Sequence, residues 1–223
     1  MIKGMQEVIQ VMEKAKADLE ANGGLKQVVF VACGGSFASS YPARYLLNQE
    51  GTIRVQGYNA SEFVNATPRN IDKNTLVIGT STKATAETVE AIRVANEKGA
   101  VTVGLSGYPD SLTAQTARYY ITYYHADEWY EDPTLVHCNS QGTALKIAFW
   151  LLKEYCGYTH YEAALEAFEK MPEIYGKAYQ QVKEDAAKFA MTYKDDKVWN
   201  VMSSGAAWEV SYSDAFCFFQ EMQ

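Results

Sequence analysis

Val28-Val29-Phe30-Val31-Ala32-Cys33-Gly34-Gly35-Ser36 reads as a strand buried on both faces that runs into a small, hydroxyl-bearing turn and opens a helix. Further along, Val77-Ile78-Gly79-Thr80-Ser81-Thr82-Lys83-Ala84-Thr85 repeats the plan. Strands of this kind belong to parallel α/β sheets, whose ligands sit at the carboxyl ends of the strands. Ser and Thr hydroxyls, backbone N–H groups and a helix N-terminus hold a dianion without a lysine, because donors and macrodipole point at it together. A ligand carrying phosphate is therefore expected. No GxGxxG follows a strand and no GxxxxGK[ST] occurs, which removes the dinucleotide and Walker cradles.

Outward from these segments the chain alternates helix and strand. Met5, Val8, Met12, Ala15 and Leu19 recur at helical spacing, and Asn22-Gly23-Gly24 stops that helix before a strand over 27–32. Pro42 lacks an N–H, so the helix after Ser36 starts near Ser39 or kinks there. Further strands are predicted over 53–58, 75–80, 101–105 and 119–124. A helix over 85–98 turns Val89, Ile92, Val94 and Ala95 to the sheet, and an apolar helix covers 141–156. Parallel neighbours need crossovers and apolar strands need cover on both sides. The expected fold is α/β: a three-layer α/β/α sandwich with a parallel, flavodoxin-like sheet. Residues 161–193 read as a helical linker broken near Met171-Pro172. Residues 198–202 restart the pattern with a strand, a Ser203-Ser204-Gly205 turn and a helix.

Composition narrows the classes of function. With 223 residues, 48% of them hydrophobic, the chain is long enough for a full core and more than one average domain. A net charge of −7 argues against a nucleic-acid partner, which calls for a basic stripe. No apolar run approaches the ~20 residues needed to cross a bilayer. Lys3, Glu7, Glu13, Lys14 and Lys16 interrupt the first helix as they would no signal peptide, so a cytoplasmic protein is expected. Cys33, Cys138, Cys156 and Cys217 lack CxxC spacing and read as reduced thiols, while His125, His137 and His160 show no HxxxH or HExxH spacing. No metal is expected. Asp127, Glu128, Glu131 and Asp132 around Trp129 form an acidic loop that reads as a solvated surface or as a contact for an aminated substrate, and Tyr119, Tyr120, Tyr123 and Tyr124 read as strand residues with hydroxyls at a sheet edge or subunit contact.

The chain resembles the sugar isomerase (SIS) domain family. Cys33-Gly34-Gly35-Ser36 is similar to its first phosphate loop, Cys-Gly-Thr/Gly-Ser. The run Thr80-Ser81-Thr82-Lys83-Ala84-Thr85-Ala86-Glu87-Thr88 is similar to its second, Ser-x-Ser-Gly-x-Thr-x-x-Thr, with Lys83 where the family has glycine and Ala84 where it often has glutamate. The resemblance implies phosphate contacts from Gly34, Gly35, Ser36, Thr80, Ser81, Thr82 and Thr85. Residues 194–223 resemble the opening of the second SIS domain of bacterial fructosamine-6-phosphate deglycases, relatives of the isomerase half of glucosamine-6-phosphate synthase. In Phe218-Phe219-Gln220-Glu221-Met222-Gln223, Glu221 matches the family's catalytic glutamate. The resemblance divides the chain into a first SIS domain over 1–157, a helical linker over 158–193 and the start of a second SIS domain over 194–223, the partner histidine motif and on the order of one more domain lying beyond. It also implies a small phosphosugar as substrate, no organic cofactor and a homo-oligomer, a dimer or higher.

Each site residue also has a plainer reading: Ser36 as an N-cap, the 80–85 cluster as a polar turn with a cap, and Glu221 as a surface charge. Against the last, Phe216, Cys217, Phe218, Phe219 and Met222 surround Glu221 with apolar side chains that would raise its pKa toward a general-base value. Three functions stay open: a fructosamine-6-phosphate deglycase, an aldose–ketose phosphosugar isomerase or synthase-like isomerase domain, and a non-catalytic phosphosugar-binding regulator.

Overall fold

A computed structural model describes residues 2–124 and 133–220. Glu221, His125 and the acidic loop around Trp129 lie outside the described residues. Five strands form one parallel sheet: β1 (Gln27–Ala32), β2 (Arg54–Asn59), β3 (Thr75–Thr80), β4 (Val101–Ser106) and β5 (Tyr119–Thr122), in the order β2-β1-β3-β4-β5. This is the flavodoxin-like order. β1 and β3 pair in register from Gln27 with Thr75 to Ala32 with Thr80, which brings Cys33 and Ser81 out side by side.

Both faces of the sheet are covered, as the apolar strands require. Val28, Phe30, Leu76, Ile78, Val103 and Leu105 pack under α1 (Met5–Ala21), α3 (Tyr41–Glu50) and the long apolar helix α7 (Ser140–Cys156). Val29, Val31 and Val77 alternate to the other face, against α4 (Ala60–Asn65) and α5 (Ala86–Glu97). Full burial of such side chains stabilises the sheet by ~1.5–3 kcal/mol each before the chain entropy is subtracted. α5 presents Thr88, Ala91, Ile92 and Ala95 to the sheet, with Val89 and Val94 half-buried at its flanks. A side chain at Gly79 would collide with Ile92, so this glycine lets α5 lie close on β3. α6 (Leu112–Thr116) follows β4.

Where one helix is expected after Ser36, starting near Ser39 or kinked there, two form. α2 (Gly34–Ser39) ends at Ser40, and α3 carries Pro42 in its first turn, where the missing N–H costs nothing. Residues 161–193 form α8 (Tyr161–Glu169) and α9 (Met171–Tyr193), broken one residue ahead of Met171-Pro172. The strand expected over 198–202 does not form. Residues 198–204 hold no regular structure, with Val198 75% and Met202 89% exposed. A parallel strand needs a neighbour to take its N–H and C=O groups, and none stands beside these residues among those described. α10 (Trp208–Tyr212) and a π-helix over Ser213–Gln220 follow.

Candidate functional site

The strand order reverses between β1 and β3, where an α/β sheet opens a crevice at its carboxyl edge. Two turns line it. At the end of β1, Gly34 takes φ +50, a left-handed conformation that a side chain would strain, and this turns the chain into α2. Ser36 therefore sits inside the first turn of α2, with Cys33 at the N-cap position, and its hydroxyl has no partner among the described residues. The plain capping reading of Ser36 does not hold. Ser36, Ser81, Thr82, Lys83, Ala84 and Thr85 together line one open pocket of about 400 Å³.

The second turn is braced from three sides. Ser81, 2% exposed, accepts the N–H of Thr85 at 2.9 Å and shares a hydroxyl hydrogen bond with Thr85 at 3.0 Å. The Thr82 carbonyl accepts from the Gly107 N–H and the Ser106 hydroxyl, both at 3.1 Å. The Tyr123 hydroxyl donates to Thr82 Oγ1 at 3.0 Å, which leaves the Thr82 proton free to point elsewhere. Burial raises the pKa of Tyr123, and the hydrogen bond to Thr82 opposes that rise, so this phenol stays a donor at neutral pH. Thr85 occupies the N-cap position of α5 without capping it through its side chain.

Among the described residues, the backbone N–H groups of Thr82, Lys83 and Ala84 have no partner. They precede α5, whose N-terminal partial charge adds to theirs. Donors without acceptors, gathered beside two threonines and a serine, suit an anion with several oxygens. Lys83 adds a full charge. It also lines an adjoining pocket of about 370 Å³ with Tyr108, Asp110 and Ser111, and its Nζ stands 5.9 Å from the Tyr108 ring centre. No non-glycine residue among those described has positive φ, so a lysine at this loop position carries no left-handed strain.

Of the predicted contacts, the pocket gathers Ser36, Ser81, Thr82 and Thr85. Thr80 is buried at the end of β3 and does not line it, nor do Gly34 and Gly35, which shape the turn. Tyr123 and Ser106 escaped the sequence reading as bracing residues; their only signal is their place at the carboxyl ends of β4 and β5. Cys33 reaches the Thr88 hydroxyl at 4.0 Å, joining the two turns beneath the pocket. No group of three or more His, Cys, Asp or Glu side chains suited to a metal occurs among the described residues. Nor is any described helix long and apolar enough to cross a membrane.

The family description of the SIS domain matches residues 25–150, the whole of this sheet. The chain belongs to the SIS family. Fructosamine deglycase FrlB of Bacillus subtilis is 34% identical over 201 residues, which cover 89% of this chain and 60% of that protein. A solved structure from Salmonella typhimurium LT2, assigned as a phosphosugar isomerase, superposes with a TM-score of 0.85 at 36% identity over 95% of this chain and 64% of that one. A second, from Bacillus subtilis and assigned alike, gives 0.85 at 33% identity over 98% and 66%. The chain thus spans about 60% of the length of the curated relative.

Beside the SIS pocket lies the C-terminal segment. Tyr41 packs on Trp208 with ring centres 4.8 Å apart and planes tilted by 35°, and its hydroxyl donates to the Gly205 carbonyl at 3.4 Å. A side chain at Gly35 would stand 3.8 Å from Cys217 Sγ. These contacts bring the helix that leads to Glu221 against α2, next to Ser36.

Proposed function

We propose that this protein is a fructosamine-6-phosphate deglycase, releasing an amine from a phosphorylated ketose-amine. The observation that carries the reading is the pocket where Ser36, Thr82, Thr85 and the free N–H groups of residues 82–84 converge at the reversal of strand order. Likeness to a fructosamine deglycase over most of the chain supports the choice of reaction.

The C6 phosphate is held by the Ser36 and Thr82 hydroxyls, the 82–84 amides and Lys83, which fixes the far end of the open-chain sugar. Thr80, Ser81, Gly34 and Gly35 act behind this surface by setting the turns. C1 and C2 then lie toward the C-terminal segment. Glu221 takes a proton from one carbon and returns it to the other, through an enolamine. The ketose-amine becomes an aldose-imine, water adds to give a carbinolamine, and the C–N bond breaks to leave glucose 6-phosphate and the free amine. We assign residues 194–223 to the start of a second SIS unit, and the working form to a homo-oligomer of two or more copies, whose contacts would cover Phe216, Phe218 and Met202.

A coupled assay for glucose 6-phosphate, run on a panel of fructosamine 6-phosphates with the intact protein, tests the reaction. Release of glucose 6-phosphate with deuterium from solvent at C2 is the expected result. Ketose–aldose interconversion without amine release would favour an isomerase, and binding without turnover a regulator. Glu221→Gln should lower kcat ~10²–10⁴-fold with KM little changed, since the amide keeps the shape and cannot accept the proton.

A further inference from the structure

A second cavity, of about 220 Å³, opens between the start of α1, the end of β5 and the first two turns of α7. It shares no lining residue with the phosphate pocket. Lys146 lines it although the residue is only 1% exposed, and among the described residues no carboxylate pairs with its ammonium. Taking an ammonium out of water is costly unless an anion or several acceptors replace that water. Two of its three N–H groups are taken, by the Lys3 carbonyl at 2.7 Å and by Cys138 Sγ at 3.6 Å. The third has no acceptor among the described residues. Burial lowers the pKa of Lys146, and Cys138 and Glu7 oppose that fall.

Thr143 lines the same cavity at 3% exposure, and its hydroxyl has no hydrogen-bond partner among the described residues. It stands one turn before Lys146 on α7, so the two share a helix face. A buried hydroxyl and a buried ammonium, each with a proton to give on one wall, suit a carboxylate. Glu7 lines the cavity from α1. Its Oε1 accepts the Thr122 N–H at 3.1 Å, and its Oε2 has no partner among the described residues. Glu7 acts on Lys146 through space without pairing with it. The Lys3 ammonium is engaged elsewhere, 4.8 Å from the centre of the Tyr124 ring. Opposite charges that line one cavity and do not meet leave room for a ligand that carries both.

We propose that this cavity is a second binding site, for a small α-amino acid whose carboxylate bonds to Lys146 and Thr143 and whose ammonium bonds to Oε2 of Glu7. Such a zwitterion gives each of the three side chains the partner it lacks, and the size of the cavity favours a small side chain. The site stands on its own residues and is independent of the phosphosugar reading of the other pocket.

Calorimetric titration of the intact protein with glycine, L-alanine and L-serine, and with acetate and methylammonium as half-ligands, tests the site. At least one of the amino acids should bind with a Kd of ~1 mM or tighter, and each half-ligand at least about tenfold more weakly, having given up a charged hydrogen bond. Lys146→Met and Glu7→Gln should each weaken amino-acid binding about tenfold or more, and Thr143→Val about threefold or more. Circular dichroism identifies the folded variants, and Glu7→Gln and Thr143→Val keep the test decisive should Lys146→Met fail to fold. Amino-acid binding unchanged in those two variants places the ligand elsewhere and overturns the proposal. Acetate binding as tightly as the amino acids overturns the role of Glu7 and with it the zwitterion, and binding by none of the three amino acids overturns the site.

Discussion

Residues 25–156 and residues 171–220 are built on opposite terms. In the first, each of β1, β3 and β4 is buried along its whole length and helices close both faces. In the second, α9 runs 23 residues without burying one of them, and Ile174, Val182, Phe189 and Met191 are 52–68% exposed. Both regions hold plenty of apolar side chains. What separates them is a neighbour to bury against, and this decides which sequence signals become structure.

The contrast gives its largest effect in the core. Phe30→Ala removes a ring that is 1% exposed between α1, α3 and α7, and should cost ~3–5 kcal/mol of unfolding free energy. Phe189→Ala on α9, where the ring is 52% exposed, should shift the stability of the 223-residue chain by no more than ~0.5 kcal/mol. Denaturant titration of the two variants measures both. Equal losses would show that α9 is packed in solution and would break the comparison.

A middle-sized effect is expected at the pocket. Thr82→Ala should weaken phosphosugar binding by ~1–3 kcal/mol, having removed a donor to a charged group, while barely changing stability. Tyr123→Phe should act in the same direction and more weakly, by ~0.5–1.5 kcal/mol, because it removes only the hydrogen bond that orients Thr82. Titration of both variants with fructose 6-phosphate ranks them. Tyr123→Phe losing more than Thr82→Ala would show that the phenol itself meets the ligand.

The same contrast explains what could be read from sequence. β1 and β3 fall on the predicted residues because their runs are buried on both faces and leave no other assignment. α4 and α6 have only 6 and 5 residues, too few for a helical period to show in sequence, and the N–H groups that Asn59 and Ser111 accept at their starts exist only in the folded chain. Val198-Trp199-Asn200-Val201-Met202 has a strand's composition, yet composition cannot supply the adjoining strand. At the site, Ser36, Ser81, Thr82 and Thr85 were legible because short turns of hydroxyl residues after buried strands have few other uses. The Tyr123 brace was not, since it joins residues 41 apart whose contact exists only once β3 and β5 are set in one sheet.

The central claim, that the two turns form the phosphate site, is tested most directly by following backbone amide resonances while fructose 6-phosphate is added. The largest shifts should fall on Ser36, Thr82, Lys83 and Ala84, saturating together, and inorganic phosphate should move the same amides in the same direction. Shifts that leave these four amides in place and gather elsewhere on the molecule would contradict the account.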